Sequence, residues 1–446
     1  MSKFVDRPRY TCALGGAVGT LRAIPRAIPI IHASAGCGGN ISMAINAGAA
    51  YLGGGYCGGL ALPSSNIVER DVVFGGEGRL REQIKASLEI LEGDLFVVLT
   101  GCMVDMIGDD TVSVVAEFKD AEKPVIAVPT PSFKGNAFTG YELLLKGLIT
   151  SYIPKSDTKD PLTVNVLGIV PAQDVFWQGN LREIKRLLEK LGLTVNTFFG
   201  EGETLDNFKQ AGRASLTVVV SHTGGIEAAK QFKEVHGIPY LVTPFPIGAL
   251  AGEVFLKTLG DALAIDPRHT ARVIQEEKSI YYHYFERLAD IYNDVDLQRY
   301  VILVGDSNYA PALTRFLSDE LGWLPELAVV TDFLDPPQKE SVSAQFRDLH
   351  SGLTPRVYFD SDTSSVKKYL REVWPQNRNN RYYDPLSPGL IIGSSFERDL
   401  AQELGFPLVP LSFPVTGRCV MNRAYAGFTG GLSLTEDIIT YLVAGR

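Results

Sequence analysis

Five cysteines are the residues of this sequence best suited to chemistry: Cys12, Cys37, Cys57, Cys102 and Cys419. Cys37 and Cys102 each follow an apolar run and stand beside glycine, and Cys12 lies in the glycine-bearing segment 10-YTCALGGAVG-19. An odd, small number of cysteines without a secretory signal is not typical of a disulfide framework. We therefore expect a reducing compartment, in which the cysteines are either core thiols or metal ligands.

Two of these thiols are expected to meet at one edge of a sheet. Ligands of open α/β sheets bind outside the carboxyl ends of the strands, and Cys37 and Cys102 both follow strand-like runs. Cys12 could fold over the same edge. Thiolates beside glycine N–H groups suit an iron–sulfur cluster. A zinc site is one alternative interpretation, although no CxxC pair is present. A second alternative is that the three cysteines are unrelated buried thiols. Three ligands are one short of four, so a cluster would need a partner chain or a subunit boundary.

The elements that would position these thiols alternate between strands and helices. We predict strands at 28–33, 95–100, 125–129, 163–170, 194–199, 216–221, 239–243, 300–306, 326–332, 356–360 and 390–395. Most are apolar throughout, which is typical of strands buried on both faces of a parallel sheet. Helical stretches lie between them. The pattern predicts an α/β fold of three Rossmann-like, doubly wound modules with parallel sheets.

Two segments suggest domain boundaries. The first is the polar, proline-containing segment 151–162, and the second is the long helical stretch 267–294. We therefore predict a thiol-bearing domain at 1–155, a middle domain at 156–295 and a C-terminal domain at 296–446. A chain of 446 residues is too long for one core.

Composition and missing motifs exclude several classes of protein. The net charge of −9 argues against a nucleic-acid binder. The N-terminal residues show no signal peptide and no long apolar run occurs, so we expect a cytoplasmic chain without a membrane span. Neither 301-VILVGDSNYAPAL-313 nor 390-LIIGSSFERDL-400 completes a GxGxxG fingerprint, and GxxxxGK[ST] occurs nowhere in the sequence, so we expect no nucleotide on this chain. The glycine-rich stretch 36–63 is either a loop around a cofactor or a flexible surface loop.

Several motifs together carry a resemblance to a known family. They are TCALGG at Cys12, HASAGCG at Cys37, 71-DVVFGGEGRLREQI-84, LTGCMVDMIGDD at Cys102, 128-VPTPSFKGNAFTGYE-142 and 414-PVTGRCVMNRAYAGFTGG-431. In this order they resemble the β-type subunit of nitrogenase component 1, and the likeness extends over nearly the whole chain.

The resemblance implies a cofactor and two partners. Cys12, Cys37 and Cys102 would be half the ligands of an [8Fe-7S] P-cluster, and a homologous α-type catalytic subunit would supply the other three thiolates in an α2β2 assembly. Ser132 matches a serine that can approach the P-cluster in the family, although an ordinary turn residue is the alternative. An ATP-dependent homodimeric iron–sulfur reductase would dock transiently, and its electrons would pass through the P-cluster to a metallocluster of the α subunit.

The β-type assignment depends on missing residues. No cysteine lies between Cys102 and Cys419 and no histidine follows His350, so the ligands that α-type subunits use for the active-site cluster are absent. The residues of these motifs resemble those of nitrogenase-like reductases, especially methylthio-alkane reductases, which cleave C–S bonds reductively. A dinitrogen-reducing enzyme, a cofactor-assembly scaffold and a metal-free binding protein are the alternatives.

The remaining chemistry-bearing residues are expected to be structural. Cys57 and Cys419 match no ligand position, although Cys57 lies in the glycine-rich stretch. His32 precedes Cys37 and is expected to be a satisfied core histidine. The acidic residues after Cys102 are expected to cap helices or face solvent: Asp105, Asp109 and Asp110.

Overall fold

Three parallel β-sheets with helical crossovers form the framework of the chain. This computed structural model describes residues 5, 8–50, 62–294, 297–373 and 389–444. All strand pairs within the three sheets are parallel. The α/β prediction with parallel sheets is therefore confirmed.

The first sheet carries helices on both faces. Its elements are α1 (Ala13–Arg22), β1 (Ala27–His32), α2 (Ala35–Gly48), α3 (Glu69–Phe74), α4 (Glu77–Ile90), β2 (Leu95–Thr100), α5 (Cys102–Ile107), α6 (Thr111–Ala116), β3 (Val125–Val128) and α7 (Ala137–Ser151). The strand order is β1-β2-β3, and every residue of β2 is buried. Phe96 and Val98 pack with α4 and α6, whereas Leu95 and Leu99 join the core on the side of α1 and α7. Both faces of the central strand are therefore covered, which explains its uninterrupted apolar sequence.

The middle sheet has the order β5-β4-β6-β7. The elements of this segment are β4 (Asp160–Leu167), α8 (Trp177–Lys190), β5 (Thr194–Asn196), α9 (Leu205–Ala211), β6 (Ala214–Val219), α10 (Ile226–His236), β7 (Tyr240–Val242), α11 (Gly248–Ala262), α12 (Pro267–Phe285) and α13 (Leu288–Asp294). The long helical stretch expected before the last sheet is thus two helices, α12 and α13.

The last sheet has the order β10-β9-β8-β11-β12. The elements of this segment are β8 (Tyr300–Gly305), α14 (Tyr309–Asp319), β9 (Leu324–Val330), α15 (Pro336–Ala344), β10 (Arg356–Phe359), α16 (Thr363–Val373), β11 (Gly389–Gly393), α17 (Arg398–Leu404), β12 (Leu408–Pro410) and α18 (Gly427–Ala444). The sequence did not predict β12, because a strand of three residues that ends at a proline is too short a run to be recognised.

One continuous apolar core reaches all three sheets. Leu99, Val218 and Leu303 belong to the same cluster of buried side chains. The C-terminal helix α18 packs against α8, α11 and α12 of the middle segment. The division at 155 and 295 stays a proposal, in which the three domains share packing surfaces.

The first part of the glycine-rich stretch is helical, which corrects the prediction of a loop. Residues 35–48 form α2, because Ile41 and Ile45 are spaced to bury one helix face, while a Cβ on Gly36 or Gly39 would meet nothing within 4 Å. Residues 51–61 lie outside the described part of the chain. No helix among the described residues is long and apolar enough to cross a membrane.

Candidate functional site

Cys37 and Cys102 lie at the same edge of the first sheet, as predicted. β1 and β2 are neighbours in register, with His32 opposite Thr100 at their carboxyl ends. Each strand is followed directly by a helix whose first turn carries a cysteine: Cys37 in α2 and Cys102 in α5. The first turn of a helix has N–H groups without intrahelical partners, which favour negative charge on a nearby sulfur.

Cys12 reaches this edge through a long-range contact. It is the N-cap residue of α1 and forms an isolated antiparallel bridge with Asn136. The adjacent Ala13 N–H donates to the Gly135 carbonyl at 3.1 Å. The loop between β3 and α7 thereby holds Cys12 beside the sheet edge.

The same loop brings Ser132 to Cys102. Ser132 begins a short 3-10 helix, and its hydroxyl contacts the Cys102 thiol. On the other side of the edge, the Ser34 hydroxyl lies 3.5 Å from the Cys37 sulfur. We call Cys12, Cys37, Cys102 and Ser132 the thiol face.

The surroundings of Cys12 raise the pKa of its thiol. Desolvation by the surrounding protein raises the pKa of the Cys12 thiol, and negative charge on Cys102 and Cys37 raises it further. Backbone N–H groups of Gly15 and Leu14 oppose this rise in pKa by hydrogen-bonding the sulfur. Three thiolates would therefore repel one another unless positive charge lay between them.

The thiol face opens to the surface. Cys12 is exposed, Cys37 and Cys102 are half-buried, and all three are free thiols. In the first turns of α2, a Cβ on Gly36 or Gly39 would meet nothing within 4 Å. This side of the cysteines therefore has room for a bulky group or another chain.

Four exposed, large apolar side chains lie on or beside the elements of the thiol face, which the sequence reasoning did not predict. Met43, Phe74, Met106 and Phe133 are 70%, 81%, 77% and 63% exposed. Each lies on an element that carries the thiol face or packs against one that does. We call these four residues the apolar collar. Met106 stands four residues after Cys102, on the same side of α5, and this spacing was the available signal.

Comparison with known proteins identifies the family. Residues 12–442 match the family described as nitrogenase component 1 type oxidoreductase. This chain is a member of the nitrogenase component 1 family. The match covers nearly the whole described structure, including all three cysteines of the thiol face.

Relatives of this chain include β chains of nitrogenases. It is 25% identical to the nitrogenase molybdenum-iron protein β chain of Sinorhizobium fredii, covering 98% of this chain and 83% of that one. It is 24% identical to the nitrogenase vanadium-iron protein β chain of Trichormus variabilis, covering 99% and 94%. The solved structure of nitrogenase Cp1 at pH 6.5 has a TM-score of 0.80 at 21% identity, covering all of this chain and 94% of that one. The resemblance to β-type subunits and the fold are thus confirmed.

The donor atoms of the thiol face fit iron–sulfur chemistry. Its donors are soft thiolates and one hydroxyl, which suit iron–sulfur chemistry. Within the described residues, no group of three His, Cys, Asp or Glu side chains is arranged to hold a single metal ion. The thiols are nevertheless near enough to repel electrostatically.

His32 is a structural residue, as expected, but Asp109 is not a solvated one. The buried His32 ring bonds the Ser65 hydroxyl through Nδ1 at 2.8 Å and the Asp109 carboxylate through Nε2 at 3.1 Å. Asp109 also accepts the Gly76 N–H, and its side chain is only 4% exposed. Asp109 therefore ties the start of α4 to the end of β1, a long-range role that local sequence did not reveal.

The remaining acidic residues and cysteines of the sequence analysis have the following positions. Asp110 caps α6 by accepting the Ser113 N–H, as expected, and Asp105 accepts the Thr100 hydroxyl at 2.7 Å. Cys419 is an exposed free thiol. Cys57 lies outside the described residues.

Proposed function

We propose that this chain is the β-type subunit of a nitrogenase-like reductase, and that its thiol face holds half of an [8Fe-7S] P-cluster. The observation that carries the proposal is the gathering of Cys12, Cys37 and Cys102, with Ser132, on one open edge of the first sheet. When bound, such a cluster stores and relays electrons.

The residues of this chain would hold and tune the cluster. Cys12, Cys37 and Cys102 supply thiolates, and N–H groups of Leu14 and Gly15 stabilise negative charge on the Cys12 sulfur. The Ser132 hydroxyl contacts the Cys102 sulfur and would adjust its electron density. The helix α1 and the strands β1 and β2 behind these groups are buried, which would hold the ligand positions in place.

The apolar collar supports the second part of the proposal, a homologous α-type subunit that covers the thiol face in an α2β2 assembly. Exposed apolar surface around a polar site is typical of a protein interface. The α-type subunit would supply the remaining thiolates and the metallocluster that reduces substrate. This chain has no cysteine between Cys102 and Cys419 and no histidine after His350, so the metallocluster is assigned to the partner. An ATP-dependent iron–sulfur reductase would deliver the electrons.

For the reaction, we propose reductive cleavage of methylthio-alkanes. This reaction is supported by the residues of the motifs around Cys12 and Cys37, TCALGGAVG and SAGCGGN. In this reaction two electrons and two protons convert R–S–CH3 into R–H and CH3SH. A second candidate is dinitrogen reduction, which is favoured by the names of the relatives, since they are β chains of molybdenum-iron, vanadium-iron and iron-iron nitrogenases.

A substrate comparison tests the proposed reaction. The complex, purified anaerobically with its α-type partner, is supplied with the reductase, ATP and either ethyl methyl sulfide or dinitrogen. The proposal predicts ethane and methanethiol in equal amounts from the sulfide. Ammonia from dinitrogen without ethane from the sulfide would instead establish the second candidate. Absence of turnover with both substrates would favour an assembly scaffold.

A further inference from the structure

A large cavity lies where the three segments of the chain meet. Its volume is about 600 Å³, and its walls come from the C-terminal end of α1, from the start of α8 and the loop after β5, and from the segment before α18. We call it the junction cavity. A volume of this size is in the range that small-molecule sites occupy, and such sites favour boundaries between structural units.

The junction cavity is separate from the thiol face. Cys12 is the N-cap residue just before α1, and Arg22 is the last residue of α1. At a rise of about 1.5 Å per residue, the two residues are roughly 15 Å apart along the helix. The cavity therefore opens at the opposite end of α1 from the proposed cluster.

Arg22 places an unpaired positive charge in the wall of this cavity. Its side chain is half-buried, and no hydrogen bond or ion pair joins it to another of the described residues. Burial lowers the pKa of the guanidinium, and no carboxylate offsets the shift. A half-buried cation without a partner is costly, so an anion in the cavity would be stabilised there.

A helix-capping role does not account for Arg22. A basic residue in the last turn can bond the terminal carbonyl groups. Here the Thr20 and Leu21 carbonyls accept the backbone N–H groups of Ala23 and Ile24 instead. The Arg22 guanidinium is therefore available to a ligand.

A second guanidinium faces the same space. Arg182, on α8, lines the cavity and uses one nitrogen to donate to the Asn422 carbonyl at 3.2 Å. Its other N–H groups remain for a ligand, since a guanidinium has five donors. Trp177 supplies an apolar wall, and Glu201 is the one carboxylate among the described lining residues. The charges of the described lining residues therefore sum to one positive.

We propose that the junction cavity binds a small organic anion, whose oxyanion group is held by Arg22 and Arg182 and whose apolar part packs on Trp177. Guanidinium groups bind carboxylate and phosphate oxygens through paired N–H donors, so both oxyanions fit this chemistry. Because the walls come from three segments, a bound anion would also fasten these segments together.

Titration calorimetry of the anaerobically purified complex tests the proposal. The probes are succinate and inorganic phosphate at constant ionic strength, with succinamide as a neutral analogue of succinate. We expect saturable binding of succinate, phosphate or both, and none of succinamide. Binding of succinate alone would assign a carboxylate ligand, and binding of phosphate alone would assign a phosphorylated one.

Variants locate the binding site. Arg22→Gln and Arg182→Gln should each weaken binding of the probe at least tenfold. Arg347→Gln, which removes an exposed arginine paired with Glu340, should leave binding unchanged. If Arg22→Gln fails to fold, Arg22→Lys replaces it in the test because it keeps the positive charge. Arg22→Lys should still weaken binding of the probe, since lysine lacks the paired N–H donors of arginine. No saturable binding by wild type, or full affinity in both glutamine variants, would overturn the proposal. Iron content and turnover are not part of the readout, so this failure would leave the proposed function untouched.

Discussion

At the scale of residues, the contact between Ser132 and Cys102 offers the most direct way to test the proposed cluster by mutation. The hydroxyl touches the thiol sulfur, and it comes from a different loop than the cysteine. Hydrogen bonds to ligand sulfurs tune the reduction potentials of iron–sulfur clusters. Ser132 is therefore expected to change the electronic properties of the cluster more than its assembly.

The first prediction concerns Ser132→Ala. The variant complex should keep the iron content of wild type but show a shifted midpoint potential in an EPR-monitored redox titration, because the contact with the Cys102 sulfur is lost. Ser34→Ala provides a graded control, since that hydroxyl lies 3.5 Å from the Cys37 sulfur and should have a smaller effect. A midpoint identical to wild type in Ser132→Ala would show that the hydroxyl does not act on the cluster.

The sequence predicted part of the site at this scale. Cys37 and Cys102 follow buried strands, so the general geometry of parallel sheets was enough to bring them to one edge. The position of Cys12 depends on its bridge to Asn136, more than a hundred residues away. Spacing alone contains no information on such a contact. The same is true of the bond between Asp109 and the N–H of Gly76.

At the scale of elements, the crossing of α1 and α7 fixes the position of Cys12. The helices approach so closely that only glycine fits at the contact. A Cβ on Gly140 would overlap the Ala13 carbonyl oxygen and lie 2.7 Å from the Ala17 amide nitrogen. Gly16 meets the Ala137 backbone in the same way. Because Ala13 directly follows Cys12, separating the helices would move this proposed ligand.

The second prediction follows from this contact. Gly140→Ala should destabilise the chain by about 1–3 kcal/mol, the usual cost of overpacking, and should lower the iron content of the complex. Gly78→Ala is the matched control, because it is also a helical glycine but a Cβ there meets nothing within 4 Å. The control should be neutral or stabilising by up to about 1 kcal/mol. Thermal unfolding and iron analysis measure both effects, and equal behaviour of the two variants would contradict the account.

Element prediction succeeded where burial dictates sequence and failed where it does not. The nearly continuous apolar run of β2 was recognised with the limits that the structure shows, since strands covered on both faces are composed mainly of apolar residues. The helix α2 was missed because glycines crowd its first turns. Its two buried positions, Ile41 and Ile45, were a weak signal by comparison.

At the scale of the whole molecule, buried carboxylates lie near the contact between the middle and last segments. Asp174, after β4, accepts the Tyr309 hydroxyl of α14 at 3.1 Å. Asp332, after β9, accepts the Ser307 N–H at 2.7 Å. Burial raises the pKa of Asp332 to about 7, and the charge of Asp306 contributes. Burial also raises the pKa of Asp174 to about 7.

The third prediction is a dependence of stability on pH. Because the folded state raises the pKa of Asp332 from 3.8 to about 7, the folded chain binds this proton more tightly than the unfolded chain does. The stabilisation is fully present below the unfolded pKa and is lost as the pH rises through about 7. As the pH rises from 5.5 to 8, the free energy of unfolding should therefore fall less in Asp332→Asn than in wild type. The difference between the two decreases should be on the order of 1 kcal/mol or more.

Thermal unfolding of the complex across this pH range measures the difference. Asp261→Asn removes an exposed carboxylate of α11 and serves as the control. Its stability should change with pH as that of wild type does. A wild-type slope in Asp332→Asn as well would show that Asp332 does not take up a proton in the folded state.

The fourth prediction concerns assembly with the α-type partner. Met106→Asp places a charge in the apolar collar and should weaken the heteromer at least tenfold, because the charge would be desolvated on association. Ile90→Asp is the control, since Ile90 is 74% exposed but ends α4 just before β2, at the opposite edge of the same sheet. Sedimentation analysis of the co-purified subunits compares the two. Equal dissociation of both variants would exclude the apolar collar as the interface.

Iron content and EPR of the anaerobically co-purified complex test the central claim most directly, in wild type, Cys102→Ala and the control Cys419→Ala. Cys419 is an exposed free thiol outside the thiol face. The account predicts about eight irons per αβ pair beyond the α-subunit metallocluster, the number of an [8Fe-7S] cluster, with loss of these irons and of activity in Cys102→Ala only. An unchanged iron count and spectrum in Cys102→Ala would remove Cys102 from the ligands, and the P-cluster proposal would fall with it.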